Sequence, residues 1–294
     1  MTFILVVSLE SLDCFDVLIW LRSGAAAAQR LGLTQSTVSR NVRSVSRLFN
    51  ITAQKANGEW QTSGDTTLLN LERVVHQNYR WTTGRALRIE AQYYSGPLFC
   101  NTLPQGWQVG NFDFLEVHTP LQHLRTGVID VWIGCYPDIP DADDEDLVCF
   151  DLTRLPTRLV VSAGHPLAAM GNSVSLSDIR NYPSLALPDG AFPRVQAVLQ
   201  DLGLWNLPID VKRYDIEKWE GRIEDLIVGY ATCFTIDYFQ TSQVFLPIAI
   251  PLVVGDSLIV RRDFADHPRF LELLHYLKGK ALQLSERFPE VRIA

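Results

Sequence analysis

One short stretch restricts the fold of this chain more than any other. Ala25-Ala26-Ala27-Ala28-Gln29-Arg30-Leu31 is a run of high helix propensity, and Gly32 can take the left-handed position that stops a helix. Thr34 then fits an N-cap, opening a helix over 35–49. In that helix Val38, Val42, Val45 and Phe49 fall on one face, and Gln35, Ser36, Ser39, Arg40 and Arg43 on the other. Asn50 suits the left-handed cap at its end. Upstream, Leu9, Leu12, Phe15, Leu18, Ile19 and Arg22 recur at helical spacing, with Ser11 or Asp13 to cap the helix and Gly24 to end it. Two helices joined by a tight turn, the second with a polar and basic face, are what a helix-turn-helix needs. An Asn57-Gly58 turn between Ile51 and Trp60 reads as a hairpin, here a wing. A further helix over 66–81 carries Leu68, Leu71, Val74, Val75 and Tyr79 on one side, and Thr82-Thr83-Gly84 reads as a linker.

Charge divides the chain at the same place. The net charge of -7 over 294 residues speaks against a protein that coats nucleic acid or an anionic membrane. Residues 1–88, however, hold 10 basic and 6 acidic residues, a balance of +4, and residues 89–294 hold the remaining 16 and 27, a balance of -11. A mildly basic head is joined to an acidic body.

From Arg85 onward the pattern alternates between strands and helices. Strands are expected at 86–91, 114–117, 131–134, 159–162 and 184–187, and helices after Ser95-Gly96, at 120–125 and near 193–202, 218–228 and 267–284. This order builds a parallel or mixed sheet covered by helices. The five cysteines Cys14, Cys100, Cys135, Cys149 and Cys233 are odd in number and widely spaced, without CxxC, so they read as small buried hydrophobes. No apolar run reaches membrane-spanning length, and Met1–Val7 lacks the basic flank of a signal peptide, so a cytoplasmic protein is expected. GxSxG, HExxH and P-loop patterns are absent, as is metal-ligand histidine spacing; the acidic run Asp141–Asp146 reads as a solvated loop. No enzyme, metal or cofactor is expected.

Assembled in order, these residues resemble the LysR-type transcriptional regulators. Thr34-Gln35-Ser36-Thr37-Val38-Ser39-Arg40 is similar to that family's Ser-Gln-Pro-Ala-Val-Ser-Arg, and Gly58-Glu59-Trp60-Gln61-Thr62-Ser63-Gly64 to its exit from the wing. In the body, the segment from Leu121 to Gly134 resembles its Leu-x-x-Gly-x-Leu-Asp-Leu-Ala-Ile, and the segment from Leu159 to Ala168 its strand followed by His-Pro-Leu. The chain departs from the pattern in about ten extra residues before the first helix, in a missing Ser-Phe pair, and in Thr52-Ala53-Gln54-Lys55 where the family reads Leu-Phe-x-Arg.

The resemblance implies an α+β protein in three parts. They are an all-α winged helix-turn-helix DNA-binding domain over 1–65, a linker and dimerisation helix over 66–84, and an effector-binding domain over 85–294. That domain is α/β and type 2 periplasmic-binding-protein-like, with subdomain I over about 85–157 and 255–294 and subdomain II over about 158–254. It implies a regulator that binds double-stranded promoter DNA as a homodimer or homotetramer and senses a small-molecule effector between the subdomains. Thr34, Gln35, Ser36, Ser39, Arg40 and Arg43 would meet the major groove, and Lys55 on the wing a phosphate or the minor groove. Candidate effector contacts sit at strand ends: Ser95 and Gly96, Thr119, Tyr136, and Cys233 and Phe234, where the family has a Gly-rich turn. Tyr93, Tyr94, Trp132 and Tyr136 point to an aromatic or apolar effector. The competing expectation is a solute-binding or interaction protein of the same fold with weakened DNA binding.

Overall fold

A computed structural model describes residues 7–56, 58–208, 213–215, 226–239 and 242–293. Met1 to Val6, Asn57 of the expected hairpin turn, and 216–225 of the helix expected near 218–228 lie outside the described residues. Two compact units result. The first comprises Met1–Ile89, Gln105–Asn111 and Gln122–Val131; the second comprises Glu90–Pro104, Phe112–Leu121 and Trp132–Ala294.

The first unit begins with α1 (Leu9–Leu21), α2 (Gly24–Leu31) and α3 (Gln35–Leu48). Helix α1 starts at Leu9, where the helical spacing begins, but Ser8, not Ser11 or Asp13, supplies the cap: its Oγ accepts the Ser11 N–H at 3.2 Å. Nor does Gly24 end it. Arg22 adopts the left-handed C-cap with φ 58, Ser23 caps the next helix, and Gly24 opens that helix. Nine of the 13 residues of α1 are buried, so it is enclosed on all sides rather than amphipathic. Val38, Val42 and Val45 of α3 pack inward. Strands β1 (Thr52–Ala56) and β2 (Glu59–Ser63) form the antiparallel wing, with Lys55 opposite Trp60. Helix α4 (Thr67–Thr82) follows. Its inner side carries Arg73, Gln77, Arg80 and Trp81, all buried, while Leu68, Leu71 and Val75 are 60% exposed or more.

Strand β3 (Leu87–Ala91) opens the α/β region and pairs in parallel with β4 (Trp107–Val109). Strand β4 has no counterpart among the expected strands, and the strand expected at 114–117 is reduced to isolated bridges at Phe114. The reason is local: the Glu116 carboxylate accepts the Thr119 N–H at 2.9 Å, turning the chain into a helix where a strand would continue.

In the second unit, α5 (Ser95–Phe99), α6 (His118–Arg125, whose last turn lies in the first unit) and β5 (Val131–Tyr136) precede β6 (Leu147–Asp151) and the long β7 (Thr153–Ser162). Short helices α7 (Pro166–Ala169) and α8 (Leu176–Ile179), strand β8 (Leu185–Ala186), helix α9 (Pro193–Asp201) and strand β9 (Leu207–Pro208) follow; β8 and β9 pair in parallel. Strand β10 (Gly229–Ala231), helix α10 (Cys233–Phe239), the 19-residue strand β11 (Gln243–Arg261), helix α11 (Pro268–Arg287) and strand β12 (Arg292–Ile293) complete it. Strands β10, β7, β11 and β5 lie side by side in that order; β6 pairs with the end of β11 and β12 with the start of β7. Strand β11 thus runs antiparallel to β7 from Gln243 to Val254 and then to β6 from Ser257 to Arg261. Gly255 sits between these stretches, where a Cβ would stand 2.0 Å from the Thr153 carbonyl; only glycine permits that approach. Among the described residues no helix is long and apolar enough to cross a membrane.

Candidate functional site

Each unit offers a surface with chemistry to perform. In the first it is the outer face of α3. The Thr34 Oγ1 accepts the Thr37 N–H at 3.2 Å and so caps the helix. That bond leaves the helix start intact and turned to solvent, since Thr34, Gln35, Ser36, Ser39, Arg40 and Arg43 are all solvent-accessible. The Arg40 guanidinium donates to Thr37 Oγ1 at 3.1 Å, which steadies it along the helix without removing it from solvent. Lys55, on β1, is exposed but donates from Nζ to the Arg22 carbonyl at 3.0 Å. Six of the seven residues expected to touch DNA therefore share one accessible helix end, and the seventh lies on the wing.

Behind that face the first unit buries a cluster of charges. The Asp130 carboxylate, wholly buried, receives Arg80 through Nε at 3.1 Å and Nη2 at 2.9 Å, the Gln77 amide at 3.2 Å and the Arg88 backbone N–H at 2.8 Å. Arg73 meets Asp16 at 2.7 Å, and Arg88 meets Asp13 at 2.7 Å. Composition showed these charges but not their partners, which lie 42 to 75 residues apart in sequence.

In the second unit the site is a cavity of about 110 Å³. Gln92 at the end of β3, Thr157 on β7, and Leu252 and Val254 on β11 contribute to its wall, with Trp205, Tyr230 and Thr232 nearby in the lining. No Asp, Glu, Lys, Arg or His lines it among the described residues. Its ionisable members are held neutral: burial pushes the Cys135 thiol and the Tyr230 phenol up to about 12, and raises Tyr94 well above its usual value. Burial raises the other four thiols as well, Cys100 furthest, which is the opposite of what a reactive thiolate requires.

None of the six effector residues expected from sequence lines this cavity, although several adjoin it. Ser95 is wholly buried and its hydroxyl donates to the Asp256 carboxylate. Gly96 lies against Phe112, whose ring a Cβ would meet at 2.2 Å. Thr119, in the first turn of α6, donates its N–H to the Glu116 carboxylate. The Tyr136 ring lies under the Arg154 guanidinium at 3.9 Å. Cys233 is half-buried, and Phe234 packs edge-on against Phe288. The lining residues are their neighbours: Tyr94 beside Ser95, Cys135 beside Tyr136, Thr232 and Thr235 beside Cys233 and Phe234. Of the aromatic residues singled out, Tyr93 and Tyr94 line the cavity; Tyr93 stacks on Tyr214 at 4.0 Å between ring centres. The missed signal is strand alternation. Successive side chains of β5 point to opposite faces, so Cys135 and Tyr136 cannot both enter the same space.

Comparison with known proteins places this geometry. Residues 111–214 match the family model of the LysR substrate binding domain. No curated relative matches the sequence. Among solved structures, a full-length OxyR variant from Pseudomonas aeruginosa shares the fold with a TM-score of 0.58 at 16% identity, covering 94% of this chain and 95% of that one. ArgP from Mycobacterium tuberculosis does so at 0.55 and 16% identity, covering 92% and 96%. Full-length CbnR, solved in complex with its target DNA, has a TM-score of 0.52 at 14% identity and covers 93% and 99%. Residues 111–214 thus match the LysR substrate binding domain, and the chain shares its fold with these full-length structures.

Proposed function

We propose that this chain is a DNA-binding transcriptional regulator that reads promoter DNA with α3 and senses a small-molecule effector through its body. The accessible, capped polar face of α3 carries the reading. Gln35 and Arg40 have the side chains that pair bidentately with adenine and guanine, while Ser36, Ser39 and the helix start suit backbone phosphate. CbnR, solved with its target DNA, lends support by its fold. A head charge of only +4 releases few counterions, so one head binds weakly and two bound together gain by multivalency. The Leu68, Leu71 and Val75 stripe on α4 offers a second copy an apolar face for that pairing. The test is a mobility shift on duplexes tiling the DNA beside its own gene, at stated salt. A shift that weakens in Arg40→Ala supports the reading; no shift in wild type, or the same shift in Arg40→Ala, defeats it.

A further inference from the structure

We infer that the cavity in the second unit binds an uncharged, single-ring molecule bearing an amide or similar donor–acceptor edge, held by Gln92 and Thr157, and that it refuses the corresponding carboxylate. This deepens the sensor half of the proposed function and rests on it.

Two observations carry the inference. Gln92 lines the cavity and is fully buried, and neither its Nε2 nor its Oε1 has a hydrogen-bond partner among the described residues. Thr157 also lines it, is more than nine-tenths buried, and its Oγ1 is equally unpartnered. A primary carboxamide left unpaired in the interior loses the hydration of two donors and an acceptor, a cost that persists only where something else supplies partners. A ligand that both donates and accepts would satisfy it; one that only accepts would leave half of it orphaned.

The rest of the lining sets the body of the ligand. Tyr93, Phe192, Leu199, Trp205 and Leu252 make most of the wall apolar or aromatic. The volume of about 110 Å³ is of the order of cavities that take one benzene ring. Charge is excluded for two reasons. The lining offers no opposite charge, so a carboxylate or ammonium would be stripped of water without compensation. The neighbouring hydroxyl that could have received an anion, Ser95, is committed to the protein's own Asp256, two residues beyond the lining Val254.

The experiment uses the full chain, with benzamide, benzoate and benzylamine as probes of one shape and three charges, each titrated at millimolar concentration in a thermal shift assay. Benzamide should raise the melting temperature saturably, while benzoate and benzylamine should not. Gln92→Leu should weaken benzamide about tenfold, the value of one lost neutral hydrogen-bond pair. Thr157→Val, which preserves shape, should weaken it less. Leu199→Trp, which fills the cavity, should abolish it. The inference is overturned if benzoate stabilises as well as benzamide, if no probe stabilises, or if benzamide is unaffected by both Gln92→Leu and Leu199→Trp. A mobility shift on the same preparations separates the two ideas: DNA binding without a benzamide effect defeats the ligand class alone, and a benzamide effect without DNA binding defeats the regulator alone.

Discussion

The two units bury polar groups in opposite ways. In the first, Asp16, Asp130 and the half-exposed Asp13 each meet an arginine at 2.9 Å or closer, with backbone and amide donors filling the remaining sites on Asp130. In the second, the cavity wall holds no charge among the described residues, and its neutral Gln92 and Thr157 side chains have no partner there. Paired charge is expensive to assemble and expensive to break, so it fixes one arrangement of the helices around it. Unpaired neutral groups cost less and stay available. The first pattern holds one arrangement of the groups around it, and the second leaves polar groups free to take a partner.

Single substitutions can break this contrast, and the largest effect belongs to Asp130. Asp130→Ala takes from the buried Arg80 guanidinium its carboxylate partner, leaving it the Gly127 carbonyl, and from the Arg88 N–H its acceptor, and should cost about 3–5 kcal/mol of stability in urea titrations. A loss below about 1 kcal/mol would show that the cluster is not the strut described here. Gln92→Leu should behave in the opposite sense. Removing a buried carboxamide that has no partner should leave the free protein unchanged or stabilise it by about 1–2 kcal/mol. Destabilisation of that size would mean that the amide has a partner in solution. Arg40→Ala touches neither pattern: its stability should stay within about 0.5 kcal/mol of wild type, while the slope of log K against log salt drops by about one. An unchanged slope would remove Arg40 from the phosphate contacts, and unchanged discrimination among duplexes that differ at a guanine would remove it from the base contacts.

The smallest effect is that of pH. Burial lowers the pKa of His76, His165 and His267 below the ordinary imidazole value of 6.5. As pH falls past that value the unfolded chain takes up these protons first, so stability should decline on acidification and level off below the folded values. His165 Nδ1 accepts the Leu167 N–H at 3.0 Å, a bond that protonation of that nitrogen abolishes. His165→Asn keeps a capping acceptor and cannot titrate, so its melting temperature should fall less than that of wild type between about pH 7.5 and 5.5. Equal declines would exclude His165 as a contributor.

The head is readable residue by residue because its signals are local. Thr34 as a cap, Gly32 and Asn50 at positive φ, and valines on the inner face of α3 all depend on neighbours within one or two turns. The body is readable as alternating strands and helices, but not at the level of its cavity. Strand β4 has three residues and no alternating pattern long enough to announce it. Apart from Thr119, the expected effector residues fall one or two positions from the lining, because sequence marks the ends of elements but not the face each side chain turns to. Gln92 is invisible at that level for a plain reason. A single glutamine after a strand looks like surface, and only its burial and the absence of a partner among the described residues distinguish it.

Strand β11 has a mechanical consequence. Between Phe245 and Val253 it spends eight residues where β7, from Val160 to Pro156, spends four. Pro156 has no N–H to give its neighbour, and the pairing is irregular along this stretch. The surplus is slack in a strand that is firmly stitched at both ends, to β7 near Gln243 and to β6 beyond Ser257. Leu252, which faces the cavity, lies within the slack, and Val254 lies just past it. A guest pressing on that wall meets an expansion joint rather than a beam: the strand can take up displacement there while both seams keep their stitches.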